Sequence, residues 1–361
     1  MAKDKARVAV IGTGWWSTFT HIPGLLANPN AELVAICDRS EERLQKAITT
    51  FSVKGYRDYQ ELLSAESLDG AVVAVTHNAH YEVAKACLEA GLHVMVEKPM
   101  VLKAAHAREL VDLAAQKGLQ VIVGYPFHYT ETTRRAREIM QSGQLGPIQF
   151  VSCLFASMAI EFYRGNDEAY RPVFNYPVIG PGQAYSKPHV SGGGQGHLQV
   201  THLAGSLFLV TDLQADRVSC YMDNWDVPVD LVDALAVRFK PNDGHAAVGV
   251  FGSTGNKAVG DSDHLEIRIY CENGYLILEQ VQSTLYVRRH DGTESRFGPL
   301  PPDDRYPRFA TANNLVDCIL GRGNNQSPGS VGARVVELLE AAYLSASETG
   351  RPIAVEDLYR E

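Results

Sequence analysis

The residues of this 361-residue chain best placed to do chemistry begin at Gly12-Thr13-Gly14-Trp15-Trp16-Ser17. This stretch closes a short apolar run and opens a helical one. It reads G-x-G-x-x-G, with serine at the third glycine. The first glycine permits a tight turn, and the second lets a pyrophosphate approach the backbone. The third position needs only a small side chain where helix packs on strand. Free N–H groups and the positive end of the helix dipole then face the phosphates. Asp38 follows 21 positions after Ser17, at the end of the second apolar run. A carboxylate there accepts hydrogen bonds from both ribose hydroxyls and repels a 2′-phosphate, which favours NAD over NADP. Its neighbour Arg39 could stack on the adenine or neutralise a 2′-phosphate. Asp38 can at the same time cap the helix that begins near Ser40.

Glu97-Lys98-Pro99 sits at the end of another apolar run, His93–Glu97. The carboxyl ends of parallel strands face the crevice that holds a dinucleotide, so Lys98 is expected to project toward the nicotinamide. Burial beside a positive ring lowers an ammonium's pKa and frees the amine to act as a base. When hydride leaves a carbon its hydroxyl proton must leave too, and a positioned base contributes about 10²–10⁴-fold.

The elements that must position these groups are legible in the first 125 residues. Apolar runs at Arg7–Gly12, Glu32–Cys37, Gly70–Val75, His93–Glu97 and Gln120–Gly124 alternate with helical periodicity at Ser40–Phe51, Tyr81–Ala90 and Lys103–Lys117. Continuous apolar strands separated by helices predict a doubly wound parallel sheet covered on both faces. Gly91 and Gly118 fall where helix C-terminal caps belong.

After one more helix, about Thr130–Ser142 and closed by Gly143, the pattern changes. Leu265–Cys271 alternates as a half-buried strand does, and Asn273-Gly274 reads as the centre of a hairpin turn. Asp243-Gly244 and Asp291-Gly292 punctuate neighbouring strands. The expectation is a meander of five or six strands from Ile148 to Arg289, then helices near Tyr306–Leu320 and Val331–Ser347. Residues 1–125 would form a dinucleotide-binding domain and 126–361 a substrate-binding and oligomerisation domain. The class is therefore α/β plus α+β: a doubly wound parallel sheet, then an open, mainly antiparallel one. Ser157–Ser191, rich in Gly, Pro and Tyr, fits no meander. It reads either as a lid or pocket wall, or as an oligomer contact or surface excursion.

Composition narrows the function. Lys and Arg number 33 against 42 Asp and Glu, a net charge of −9, with no basic block of the kind a nucleic-acid backbone needs. The six cysteines are scattered without a CxxC pair, as in a protein of a reducing compartment. No apolar run reaches the roughly 18 residues of a membrane span, and the N-terminus has no apolar leader. A cytoplasmic protein with no membrane or nucleic-acid partner is expected.

Val72-Val73-Ala74-Val75-Thr76-His77-Asn78-Ala79-His80, followed by Ala90-Gly91-Leu92-His93-Val94-Met95-Val96-Glu97-Lys98-Pro99, resembles the Gfo/Idh/MocA oxidoreductases, the glucose–fructose oxidoreductase and inositol dehydrogenase group. Their usual text is T-P-N-x-x-H and then A-G-K-H-V-x-x-E-K-P, and His77 replaces the proline. The resemblance covers essentially the whole chain. It implies a Rossmann domain followed by an open antiparallel sheet, with a cis Lys98–Pro99 peptide. It implies cofactor contacts at Gly12, Gly14, Trp15, Trp16, Asp38, Arg39, Thr76, His77, Asn78, His80, Glu97 and Lys98. The family's second element, G-G-x-L-x-D-x-G-x-H, aligns with Gly193–His202. His202 falls on the histidine, with an unperturbed pKa near neutrality suited to acid–base work. Leu198 falls on the aspartate and Val200 on the glycine, so the usual carboxylate is missing.

Lys98 and His202 are thus the expected catalytic pair. Tyr125, His128, Tyr185, His197 and Gln199 join them as substrate contacts, with His189 a further pocket candidate. His77-x-x-His80 with His197 or His202 has a metal-like spacing, but no metal is expected. The leading expectation is an NAD-dependent dehydrogenase acting on a secondary hydroxyl of a sugar, glycoside or polyol. One alternative is a glycoside hydrolase or epimerase that oxidises C3 transiently without net redox. The other is a non-catalytic NAD(P) sensor. An open sheet with an apolar face would also call for a homo-oligomer, dimer or tetramer.

Overall fold

A computed structural model describes residues 4–241 and 244–360. Six strands form the first sheet: β1 (Ala6–Ile11), β2 (Ala31–Cys37), β3 (Lys54–Tyr56), β4 (Gly70–Val73), β5 (His93–Val96) and β6 (Val121–Val123). All pairings are parallel, in the order β3-β2-β1-β4-β5-β6. Central strands such as β4 are buried at every residue, which is why they read as unbroken apolar runs. Alternate residues of β1 bury on opposite faces, Ala9 and Ile11 in one apolar cluster and Val8 and Val10 in another, so both faces are covered. The order reverses between β1 and β4, and a crevice opens beyond the carboxyl ends of those strands.

Local signals fix the helices. Ser40 caps Glu41–Phe51 by accepting the Arg43 N–H at 3.3 Å. Ala104–Lys117 ends at Gly118, whose φ of +67° suits glycine. The strand β3 and the helix Tyr59–Ala65 were not read from the sequence. At three and seven residues they are too short for periodicity to show.

The second sheet has nine strands: β7 (Ile148–Ala156), β8 (Ala215–Asp223), β9 (Val232–Phe239), β10 (Val248–Thr254), β11 (His264–Cys271), β12 (Gly274–Glu279), β13 (Thr284–Arg289), β14 (Glu294–Phe297) and β15 (Ile353–Ala354). The expected meander of five or six strands is corrected here. β7 lies in the middle, antiparallel to β11 and parallel to β10. A parallel neighbour requires a long crossover, and the chain between β7 and β10 supplies it. The hairpin turn is also one residue earlier than expected. Cys271 pairs with Gly274, so Glu272 and Asn273 connect the strands and neither has positive φ. Gly274 opens β12 instead, where a Cβ would come within 2.3 Å of Arg288 O. The Asp291-Gly292 turn joins β13 to β14, with Gly292 at φ +93°. Asp243 lies outside the described residues.

One face of this sheet packs on the helix Thr201–Thr211, which is buried from Thr201 through Val210. The helices Glu131–Gln141 and Gly329–Ser347 cover that helix in turn. The chain then returns to the first sheet. Leu315 and Val316 of the helix Ala310–Ile319 join Val8, Val10, Val72, Met95 and Ile122 in one apolar cluster. Val123 N donates to Ser327 O at 2.8 Å. Residues from the far end of the chain therefore complete the core of the first layer.

Residues 157–191 fold as three short helical turns, Ile160–Tyr163, Asp167–Tyr170 and Pro188–Ser191, around an aromatic cluster. Phe162 stacks on Tyr170 at 3.8 Å between centroids, and Trp15 of the glycine turn packs on Phe162 at 5.7 Å and Phe174 at 5.4 Å. This segment walls the crevice. No helix among the described residues is long and apolar enough to cross a membrane.

Candidate active site

A cavity of about 700 Å³ runs from the glycine turn, past the end of β5, to the wall made by residues 158–191 and 261–306. The glycine turn divides its work between fold and ligand. Gly12 has φ +103°, and a Cβ there would lie 2.3 Å from Ala74 O. The fold itself demands that glycine. A Cβ on Gly14 would meet nothing within 4 Å and would enter the cavity, so this glycine leaves a cradle for a group from outside the chain. Ser17, buried at the third glycine position, turns its hydroxyl back to Gly12 O at 2.5 Å.

Asp38 lies at the cavity margin and is tightly held. Its Oδ2 accepts from Thr13 N at 2.9 Å, its Oδ1 from Ser40 N at 2.8 Å and from Arg43 Nη2 at 3.0 Å. Burial alone would raise its pKa, but Arg43 and the two backbone N–H groups outweigh it and hold the carboxyl below its ordinary value. Arg39 is exposed on the same margin. Arg43, five residues beyond Asp38 on the next helix, is the cation that the sequence reading missed.

Beyond the β5 end lies a buried polar cluster. Glu97 Oε1 accepts from Trp16 Nε1 at 3.0 Å and meets His21 Nε2 at 2.8 Å, while Oε2 accepts from Lys98 N at 3.0 Å. Burial opposes the charge on Glu97, but His21 and Lys98 overcome it and keep the carboxyl below its ordinary value. His21 was also missed, although it lies on the helical face that follows the glycine turn. The Lys98–Pro99 bond is cis.

Lys98 Nζ donates to Leu198 O at 2.7 Å, and both residues line the cavity. Burial pulls the amine down to about 8, against the opposing charge of Glu97. Thus position 198, which lacks the expected carboxylate side chain, holds the lysine through its main-chain carbonyl. Asp230 fixes that segment. Its Oδ1 accepts from Gly194 N at 2.6 Å and from Tyr343 Oη at 2.8 Å, and its Oδ2 accepts from Gly196 N at 2.7 Å. The close packing explains the glycines: a Cβ on Gly194 would lie 2.2 Å from Asp230 O, and one on Gly193 would lie 2.1 Å from Tyr343 Oη.

His202 and Gln199 line the cavity from the same segment. Burial, with Lys98 and His128 adding repulsion, holds His202 well below its ordinary value and hence neutral. Tyr185 also lines the cavity and accepts from Trp15 Nε1 at 3.0 Å. Thr76 and His77 line it too, with His77 Nδ1 on Ser191 O at 2.8 Å. His80 borders it, but its ring nitrogens face Pro99 O at 2.8 Å and Val75 O at 3.1 Å, so it braces the turn around Lys98.

Five expected contacts lie elsewhere. Asn78 is exposed on the rim and donates to His189 O at 3.1 Å, and His189 itself is exposed and off the cavity wall. Tyr125 is buried with its hydroxyl 2.9 Å from Thr201 Oγ1, and His128 is buried with Nδ1 2.9 Å from Ser327 Oγ. The 3₁₀ turn Pro126–Tyr129 turns Phe127, not these two, to the cavity. Tyr125 instead supports the His202 ring edge-on at 5.9 Å. His197 stacks on Tyr343 at 4.4 Å, away from the cavity, and burial pulls it down to about 4. Among the described residues no group of three or more His, Cys, Asp or Glu converges on a metal position.

Residues 6–125 match the model of an oxidoreductase family with an NAD-binding Rossmann fold. D-apiose dehydrogenase of Paraburkholderia graminis is 31% identical over 366 residues, covering 98% of this chain and 90% of that protein. The dTDP-3,4-didehydro-2,6-dideoxy-alpha-D-glucose 3-reductase of Streptomyces violaceoruber is 27% identical over 354 residues, 94% of this chain and 95% of that one. Among solved structures, GenD2 from gentamicin A biosynthesis in complex with NAD superposes with a TM-score of 0.75 at 23% identity, over 98% of this chain and 97% of that one. An open glycine turn at the head of a parallel sheet, a lysine delivered by its fifth strand and relatives matched nearly end to end lead to one conclusion: this chain belongs to the Gfo/Idh/MocA family of oxidoreductases and carries that family's NAD-binding Rossmann domain.

Proposed function

We propose that the protein is an NAD-dependent dehydrogenase that oxidises a secondary hydroxyl of a sugar, glycoside or polyol, with Lys98 as the base and His202 beside it. The observation that carries this reading is Lys98: a half-buried lysine on the cavity wall, its amine drawn down to about 8 and held by a neutral carbonyl rather than by a carboxylate. An amine paired tightly with an acid would stay charged, whereas this one can be neutral at the pH where it must accept a proton. Bound NAD supplies the hydride acceptor. Lys98 takes the hydroxyl's proton, the neutral His202 can share it, and Gln199 offers an amide to a neighbouring hydroxyl. The Asp38 carboxylate supports NAD over NADP, because it would face a 2′-phosphate with like charge.

The relatives' names, an apiose dehydrogenase and a dideoxy-glucose 3-reductase, favour the same substrate class. Incubation with NAD⁺ and a panel of sugars, glycosides and polyols is expected to give NADH and a product two hydrogens lighter. Cleavage of a glycoside without accumulation of NADH would replace this reading with redox-cycled hydrolysis.

Assembly and location belong to the same proposal. Leu154 on β7 and Val248 and Val250 on β10 are 42–50% exposed on the outer face of the second sheet, beside Ala234 and Ala236 of β9. Such a strip is an interface in search of a partner. A second copy of this chain is its expected cover, and a monomeric mass by light scattering would refute that. Five of the six cysteines are buried as free thiols, in keeping with a cytoplasmic enzyme.

A further inference from the structure

The far wall of the cavity carries a carboxylate with an open oxygen. Asp263, just ahead of β11, accepts the Met158 N–H at 3.1 Å through Oδ1, and none of the described residues hydrogen-bonds its Oδ2. The other acids of the wall differ from it. Asp38 and Glu82 belong to the nucleotide end, both oxygens of Glu97 are engaged, and Asp261 is exposed to solvent. Burial raises the Asp263 pKa above its ordinary value, with the Met158 N–H and Lys257 opposing, as for an acid facing a partly dry space.

The rings around it give direction. Phe127 packs edge-on against His202 at 6.0 Å and against Tyr306 at 5.0 Å. Tyr306 lies close enough to both Glu97 and Asp263 for each to perturb it. Asp263 thus shares the cavity wall with this group of rings, on a stretch of chain distant from the one that carries Lys98. Arg305, the cation of this wall, is committed to Leu300 O at 2.7 Å and to Gln282 Oε1.

We propose that Asp263 is a specificity-determining residue that accepts hydrogen bonds from hydroxyls on the part of the substrate remote from the reacting carbon, so that the substrate is a neutral, hydroxyl-rich glycoside rather than a sugar acid or sugar phosphate. This rests on the dehydrogenase reading above. A carboxylate in a partly dry site forms strong bonds to hydroxyl donors and repels an anion placed in the same position. A site built to bond a hydroxyl also rejects an analogue that lacks it, because its own polar group is then left unpaired.

The test uses the full chain saturated with NADH, so that binding is read without turnover. Calorimetric titration with a methyl glucoside and with the corresponding methyl glucuronide should show the neutral glycoside binding more tightly. Asp263→Ala should weaken the neutral glycoside by about tenfold. Asp263→Asn, which keeps an acceptor for Met158 N and guards against misfolding, should narrow the preference over the glucuronide. Unchanged affinities in both variants would overturn the proposal. Tighter binding of the glucuronide by the wild type, or no binding of any neutral glycoside, would overturn it as well. Turnover with NAD⁺ is measured separately. Equal NADH formation by wild type and both variants refutes the role of Asp263 and leaves the dehydrogenase reading intact. Variant-dependent binding with no NADH formed does the reverse.

Discussion

At the nucleotide end of the cavity, Gly12, Gly14 and Asp38 come from one strand–turn–helix–strand unit, and each does what its place in that unit requires. At the other end, Lys98, Leu198, His202, Asp263 and Tyr306 come from four distant stretches of chain and meet only in the folded tertiary structure. The first end is a local motif that recurs wherever a dinucleotide meets a parallel sheet. The second is an assembly in which a residue's role depends on what packs behind it. Cofactor chemistry can therefore stay fixed while the substrate end is rebuilt, and here a main-chain carbonyl stands where a carboxylate is usual.

The largest break in that comparison would come at their junction. Lys98→Ala should lower kcat by about 10²–10⁴-fold while NADH affinity, read by fluorescence, stays within threefold. Intact activity would remove Lys98 as the base. The two glycines sharpen the nucleotide end. Gly12→Ala forces a left-handed residue against Ala74 O and should cost about 1–3 kcal/mol of stability or more, seen as a lower Tm. Gly14→Ala should leave Tm unchanged and weaken NAD⁺ binding, since its Cβ meets only the cavity.

The pH profile probes the amine itself. Under the proposed mechanism the neutral amine is the active form for oxidation, so kcat should rise with pH below about 8 and level off above it, and the reverse reduction should fall over the same range. A limb near 6.5 is not expected, because His202 stays neutral there. The smallest effect concerns the corrected residues. Tyr125→Phe removes a hydroxyl that bonds Thr201, not substrate, so Tm should fall by an amount equivalent to about 1 kcal/mol with KM unchanged. A large rise in KM would restore Tyr125 to the substrate site.

The residues whose place on the cavity wall is legible in the sequence are those whose neighbours are close in sequence or set by strand direction. Strand ends point at the crevice, so Lys98, Asp38 and the glycine turn could be placed from pattern alone. Tyr125 and His128 also follow a strand, yet a 3₁₀ turn rotates them behind the helix Thr201–Thr211 and brings Phe127 forward. A single turn of that kind leaves no periodic trace. His197 and Gln199 differ by two positions, and the π-type turn Gly196–Val200 puts one against Tyr343 and the other in the cavity. Asp230, His21, Arg43 and Asp263 carried no motif, because their partners lie on other elements or one helical turn away.

By itself the sequence determined the parallel sheet, the glycine turn and the lysine at the end of its fifth strand, since hydrophobic periodicity and glycine chemistry act over a few residues. Tertiary structure alone decided the nine-strand order around β7, the return of residues 310–328 to the first sheet, and the environment that draws Lys98 down to about 8. Desolvation and hydrogen-bond partnership are properties of packed neighbours, and those neighbours lie far apart along the chain.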